Sequence, residues 1–456
     1  MREIMIVGAA ETRFGRSEAG LRELAAAAGR DALADAGATP EQVDALYLGT
    51  FSSGTFVHQE HAAPLVASEL GLGHVPSTRA ENACASGATA FVNGLMGIAA
   101  GFYDVVLVVG VEKMTAVTTG EATEILAEAA DWELESRYGL TFPGAYALIA
   151  RAYLHRYGKD RDILDAVAIK AHRNALANPY AQFHKAITGA DIAASAMIAD
   201  PLTLYDCSPI TDGAAAVVLA ARDVADNFAR DGVRIAGFGQ ASDALALFKR
   251  PDLTSMPATR HAAERAYRMA GCGPDAISLA EVHDCFTIAE IVATEDLGFF
   301  APGEGGDAAQ AGATGLDGRI PINPSGGLKA KGHPVGATGV GQLVEATFQL
   351  RGEAGERQVG GAAVQAAVER GDGHAGQGLE RVQHVLEAMV ELVDDRLQRV
   401  ARAEAALAAA GDHQCARRVL VHRAQQRGQR VDVGRVEPVV LLGPVQRDAR
   451  EAAGTL

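Results

Sequence analysis

Two hydrophobic rhythms alternate along the first half of the chain. Ile4-Met5-Ile6-Val7-Gly8 and Ala45-Leu46-Tyr47-Leu48 are apolar runs of strand length, and Val105-Val106-Leu107-Val108-Val109-Gly110-Val111 is longer, continuous and β-branched. A strand without polar alternation suits the middle of a sheet covered on both faces, since neither set of side chains meets water. Residues 20–36 place Ala and Leu at helical spacing, and residues 86–100 repeat this with small residues. The rhythm of strand then helix predicts an α/β protein with helices outside the sheet.

From 115 to 199 the pattern changes. Trp132, Tyr138, Phe142, Tyr146, Tyr153 and Tyr157 gather there, with helices expected to break at Pro143 and Pro179. This segment reads as an aromatic-rich helical excursion packed over the core. Ser208-Pro209-Ile210-Thr211-Asp212-Gly213-Ala214 then turns back into a strand at 215–219. The second half opens with a strand at 233–238, a polar loop over 242–259 and a helix over 261–269. Residues 279–283 read as another strand, which delivers His283 and Cys285 at its carboxyl end, where ligands bind in open α/β sheets.

Composition narrows the classes. With 456 residues, 48% hydrophobic and 21% charged, the chain can bury two or more cores. A net charge of −16 argues against general nucleic-acid binding and leaves room only for a local basic pocket. Asp104 and Glu112 bracket the longest apolar run and no signal peptide is evident, so a cytoplasmic location without membrane insertion is the default expectation. The five cysteines include no CxxC pair, which argues against a metal site or a disulfide framework.

One motif occurs twice. Cys84-Ala85-Ser86-Gly87-Ala88-Thr89-Ala90 lies over His333-Pro334-Val335-Gly336-Ala337-Thr338-Gly339, and both stretches run on into helix-like sequence. The chain therefore divides into two related halves, residues 1–222 with the excursion at 115–199, and residues 228–360. A helix starting near Ser86 would aim unpaired N–H groups at the Cys84 sulfur and favour its thiolate. Pseudo-twofold pairing of the halves would set this thiol against the His333 imidazole, an arrangement that activates a sulfur nucleophile.

Three motifs in order carry a family resemblance: Cys84-Ala85-Ser86, His283-Asp284-Cys285-Phe286, and Gly332-His333-Pro334 with its Asn323-Pro324-Ser325-Gly326-Gly327 lead-in. From Met1 to about residue 358 the chain resembles the thiolases of the sterol-carrier-protein-2 or lipid-transfer-protein type. The resemblance implies a layered αβαβα fold of two duplicated halves with an inserted helical loop domain, an S-acyl Cys84, and CoA as co-substrate without a permanent cofactor. It gives His333 the parts of base and oxyanion donor, His283 the enolate pocket, and Cys285 the second acid and base. Asp284 is expected to be a turn or cap residue. For CoA it points to Lys249, Arg250 and Ser255 in the loop passed by the pantetheine, and to backbone atoms of Ser325 and Gly326. A homodimer is expected. The rival readings are a retro-aldolase working with a small OB-fold partner, which would not need Cys84, and a non-catalytic acyl-CoA or lipid carrier.

The last hundred residues stand apart. Residues 361–456 contain 13 Arg balanced by 13 Asp plus Glu but no Phe, Tyr, Trp or Ile, so they offer little to build a core. The β-branched strand and Cys-x-Gly loop that the duplication and the family resemblance place there are missing, and with them one oxyanion donor, which is worth about 3 kcal/mol of transition-state stabilisation. Severe impairment of the chain is therefore expected. A reading-frame change is the preferred explanation, ahead of an added helical domain over 380–410 or a disordered tail. Resequencing the gene is expected to reveal, in one of the other two frames after codon 358, a β-branched strand and a Gly-rich turn. Finding neither would refute this explanation.

Overall fold

The computed structural model describes residues 2–362. In chain order its strands are β1 (Ile4–Glu11), β2 (Ala45–Gly49), β3 (Ser77–Ala80), β4 (Val105–Lys113), β5 (Met197–Ala199), β6 (Leu202–Thr203), β7 (Asp212–Ala221) and β8 (Val233–Arg234). Six form one sheet in the order β3-β2-β4-β7-β1-β8, and β5 pairs only with β6. β2 runs parallel to β3 and β4, while the β4–β7, β7–β1 and β1–β8 pairs are antiparallel.

The uninterrupted apolar run of β4 has the double cover its sequence demands. Leu107, Val109 and Val111 pack on one face with Leu24, Ala25, Ala28 and Ala32 of the Leu21–Ala36 helix. Val106 and Val108 pack on the other with Phe91, Leu95 and Ile98 of the Ser86–Ala99 helix, and with Val340 and Val344 of the Thr338–Arg351 helix. Burying each such side chain contributes about 1.5–3 kcal/mol, which makes this three-layer sandwich the main apolar store of the fold.

The two helices on that second face are the ones that follow the repeated motif, and their N-termini touch. A Cβ on Gly87 would stand 2.7 Å from the Gly336 carbonyl oxygen, and one on Gly339 only 2.6 Å from the Ala88 nitrogen. Gly87 and Gly336 hold equivalent places in the repeat, so the halves meet where each lacks a side chain.

The excursion contributes the helices Thr119–Ala127, Phe142–Tyr157 and Asp162–Ala175. Tyr153, Ile163, Leu164 and Val167 bury against Ile288, Ile291 and Val292 of the Thr287–Asp296 helix. Pro143 sits in the first turn of its helix, where its missing N–H has no intrahelical partner to lose, so it starts the element and does not break it.

Two expected strands of the second half are corrected. The run at 233–238 shrinks to the two residues of β8, and 279–283 is not a strand but meets residue 322 through a single parallel bridge, Ala280 to Ile322. A strand persists only where neighbours pair with it. The central strand expected after the Thr338–Arg351 helix falls beyond residue 362, as do the alternative helical domain at 380–410 and nearly all of the anomalous segment, outside the described residues.

Replacing Gly87 with Ala is expected to lower unfolding free energy by about 1–3 kcal/mol, the range for overpacking a tight contact, as read by urea denaturation. Gly120→Ala, whose new methyl would meet nothing within 4 Å, is expected to leave it near the wild-type value.

Candidate active site

The Cys84 loop leaves β3 and makes a single tight turn before its helix begins. Ala83 adopts φ 45°, and Ser86 holds the turn by donating to Ala83 O at 2.7 Å while accepting from Asn82 N at 2.9 Å. The Asn82 side chain in turn donates to Thr89 Oγ1 at 3.1 Å. The sulfur of Cys84 is half-buried among Phe51, Phe56, Met114 and Val335.

His333 arrives from the other half. Its N–H donates to Thr211 Oγ1 at 3.1 Å, and Ile210 bridges it in parallel, so the segment leading into β7 sets its position. The same segment fixes the Cys285 loop: Ser208 N donates to Cys285 O at 2.9 Å, and Cys207 bridges Phe286. His333 Nδ1 lies 2.7 Å from Thr338 Oγ1, and that hydroxyl also donates to Pro334 O at 3.1 Å. With its proton committed to the carbonyl, the hydroxyl accepts from Nδ1–H, which leaves Nε2 as the basic nitrogen. Thr338 occupies the place in its repeat that Thr89 occupies in the other.

His283 lies edge-on to His333, with ring centroids 5.0 Å apart and planes at 81°. One ligand-type atom each of Cys84, His283 and His333 falls within 4.8 Å of the other two. One thiol and two imidazoles from three separate loops thus meet at one place. Cys285 is buried next to them, close enough that charge on Cys84 raises its proton affinity.

Electrostatics correct one expectation. Burial, with the Glu112 carboxylate adding to it, pushes the Cys84 thiol up to about 12, and its own backbone N–H only partly offsets this. A helix terminus contributes at most about 1–2 kcal/mol, less than the desolvation by the apolar groups packed on Cys84 together with the Glu112 charge, so the resting sulfur is a thiol and not a thiolate. Burial also pulls His283 down to about 4 and His333 well below its ordinary value, the latter helped by His283. The resting site is therefore neutral throughout, and His333 is free to take a proton.

The remaining candidates are dispersed. Asp284 acts as the expected cap: its carboxylate accepts from Leu328 N at 2.7 Å, and burial raises it to about 7. Ser325 gives both its N–H (2.9 Å) and its hydroxyl (2.7 Å) to Glu281, and Gly326 adopts φ 100° in front of Ala175. Ser255 donates to Asp296 at 2.7 Å, just ahead of the Pro257–Ala270 helix. Lys249 is exposed, its ammonium 5.8 Å from the Phe248 ring centre. Sequence reading passed over Glu112, which accepts from Phe51 N (2.7 Å), Thr50 Oγ1 (3.0 Å), Ser52 N (3.3 Å) and Gly336 N (3.0 Å). A carboxylate closing an otherwise apolar strand was the available signal.

A sheet covered on both faces, with paired helix N-termini presenting sulfur against imidazole, defines the thiolase fold. Comparison with known proteins agrees: the thiolase N-terminal domain model matches residues 4–223, and the thiolase C-terminal domain-like model matches 239–409, reaching into the anomalous segment. The acetyl-CoA acetyltransferase of Methanothermobacter thermautotrophicus is 47% identical over 365 residues, covering 80% of this chain and 95% of its own. Human sterol carrier protein 2 is 31% identical over 380 residues, covering 80% and 69%. Among solved structures, the Ltp2-ChsH2(DUF35) aldolase superposes with a TM-score of 0.68 at 26% identity over 78% of this chain and 92% of its own. Human mitochondrial 3-ketoacyl-CoA thiolase in complex with CoA shares the fold, with a TM-score of 0.61 at 19% identity, over 78% and 93%. The chain belongs to the thiolase family, and it is an acyltransferase of the thiolase type.

A histidine whose folded pKa is lowered contributes stability that is present above its unfolded value, near 6.5, and lost as pH falls through the folded one. Between pH 6.5 and about 4, His283 is therefore expected to withdraw roughly 2–3 kcal/mol of stability. Urea midpoints measured across this window should fall more steeply for wild type than for His283→Asn. Parallel slopes would mean that the imidazole is solvated.

Proposed function

We propose that this chain cleaves 3-ketoacyl-CoA with free CoA, or in reverse condenses two acyl-CoA molecules, through an S-acyl intermediate on Cys84. The observation that carries the reading is the cluster of the Cys84 sulfur with one ring nitrogen each of His283 and His333, all within 4.8 Å of one another. The 47% identity to an acetyl-CoA acetyltransferase supports the same reaction class.

The resting protonation states set the sequence of steps. His333 Nε2 takes the Cys84 proton as the sulfur attacks the keto carbon, so charge appears only when substrate is present to use it. The bond between the keto carbon and its neighbour breaks, and its electron pair passes into the enolate of the departing acyl-CoA. His283 donates to that enolate oxygen, and the Cys285 thiol protonates the carbon. The thiol of incoming CoA attacks the S-acyl group and gives its proton to the Cys285 thiolate. Imidazolium His333 then returns its proton to Cys84 as the sulfur leaves. No redox change occurs, and both cysteines end as thiols.

The wider setting belongs to the same proposal. A homodimer is supported by β3, a sheet edge paired on one side only, since exposed edges invite pairing. A role in lipid breakdown is supported by the sterol carrier protein 2 relatives, and a cytoplasmic location by the lack, among the described residues, of a helix long and apolar enough to cross a membrane. CoA contacts are assigned to the loop of Lys249, Arg250 and Ser255 and to the backbone near Ser325 and Gly326. The retro-aldolase reading with a small OB-fold partner gains support from one structural neighbour, a DUF35-linked aldolase, yet leaves the Cys84–His333 pairing without a task.

Incubation with acetyl-CoA labelled in the acetyl group is expected to leave covalent label on Cys84 that free CoA discharges. Cys84→Ala should take up none, and His333→Ala should label at least about 100-fold more slowly. Tight reversible binding without covalent label would establish the carrier instead.

A further inference from the structure

Cys285 is the most demanding group in the reaction just described. It must release a proton to carbon and exist briefly as a thiolate, in a buried place beside a second sulfur. Burial, Cys84 and the Asp284 carboxylate all oppose that anion. Two donors favour it: the Phe286 N–H and the hydroxyl of Tyr146.

Tyr146 comes from the inserted segment, one turn into the Phe142–Tyr157 helix. Its ring stacks on Phe286 with centroids 4.5 Å apart and planes at 23°, which fixes it against the loop that carries Cys285. Its hydroxyl faces the Cys285 sulfur closely enough to lower that thiol's proton affinity, and it also senses the charge of Cys84. The other side of the residue lines a cavity of about 120 Å³ walled by Ala127, Ala129, Leu140, Ile149, Leu247 and Arg250. Besides Tyr146, its polar members are Glu135, Thr141 and Arg250. The charged and titratable groups around the pair are Cys84 from the first-half turn, Asp284 from the same loop, Lys329 from the segment behind it, and Arg250 beyond Tyr146.

We propose that Tyr146 is a positioning residue for Cys285: its hydroxyl holds the sulfur toward the Cys84–His283–His333 cluster and donates to it while the thiolate exists. The inference rests on the reading of Cys285 as the second acid and base. The Tyr146 proton stays on oxygen throughout, and only the Cys285 proton moves. The inserted segment is thereby tied to every step in which the Cys285 proton moves.

Tyr146→Phe keeps the ring stack and the cavity wall and deletes only the donor. In the full chain, alkylation of Cys84 by iodoacetamide, which moves no proton on Cys285, is expected to stay within about twofold of wild type. Thiolysis of acetoacetyl-CoA is expected to fall about 10- to 100-fold, the range set by loss of one hydrogen bond to a charged group. In a Cys84→Ala background, alkylation of Cys285 by iodoacetamide at a fixed alkaline pH, followed by peptide mass spectrometry, should slow about tenfold on Tyr146→Phe. The proposal is overturned by unchanged thiolysis, by an equal fall in the alkylation of Cys84, or by unchanged alkylation of Cys285. A wild-type protein that takes up no acetyl label on Cys84 would instead overturn the reading beneath it, and the proposal with it.

Discussion

The close approach of two helix N-termini is the constraint on which the rest of the site depends. Gly87 meets the Gly336 carbonyl, and Gly339 the Ala88 nitrogen, at distances that no Cβ could occupy. Sulfur and imidazole stand just ahead of these contacts on their respective turns, so the gap between the helices sets the gap between the reacting groups. Glu112 locks the gap from the sheet side. Its carboxylate joins the turn at Thr50, Phe51 and Ser52 to the N–H of Gly336, one half of the molecule to the other. Burial lifts its pKa to about 6, and the four donors restrain that rise enough for it to remain an anion at neutral pH.

That anion bears on the chemistry. A buried negative charge near Cys84 makes its thiolate costly and holds the resting sulfur protonated. The site thus avoids a standing thiolate, which reacts with any passing oxidant or electrophile, and forms one only as His333 accepts the proton. The same low-polarity surroundings keep His333 and His283 neutral, so a single burial argument accounts for the protonation state of all three groups.

The second pair of loops is secured by a different device. Asn323, at φ 54°, donates to Glu290 at 3.0 Å and accepts from Val282 N at 2.7 Å, while its own carbonyl accepts from Asn174 at 3.0 Å. Glu290 is paired in turn with buried Lys170 of the inserted segment. This network ties the His283 loop, the His333 lead-in and the insertion together in a region where, among the described residues, the backbone forms only isolated bridges. Side-chain amides and carboxylates do here what a ladder does in the first half, with Asn174 Oδ1 left as the one buried oxygen of this network without a partner.

Much of this was legible along the chain. The double-sided burial of β4, the helix after Cys84 and the repeated motif are local patterns whose periodicity or spelling survives without coordinates, and the repeat even indicates which two turns must meet. Protonation was not legible: a sequence displays a helix terminus beside a cysteine, but the Phe51–Phe56–Met114 surroundings and the Glu112 carboxylate that reverse its effect come from elsewhere in the chain. Nor was the fate of 233–238 and 279–283, because strand character depends on a neighbour that local composition does not contain. Thr211, Thr338 and Tyr146 matter only through what they touch, at separations from a few residues to more than a hundred. Local propensity and motif are properties of contiguous residues, and the amino-acid sequence determined those. Burial, partner and proton affinity are properties of a neighbourhood assembled from distant segments, and only the tertiary structure decided them.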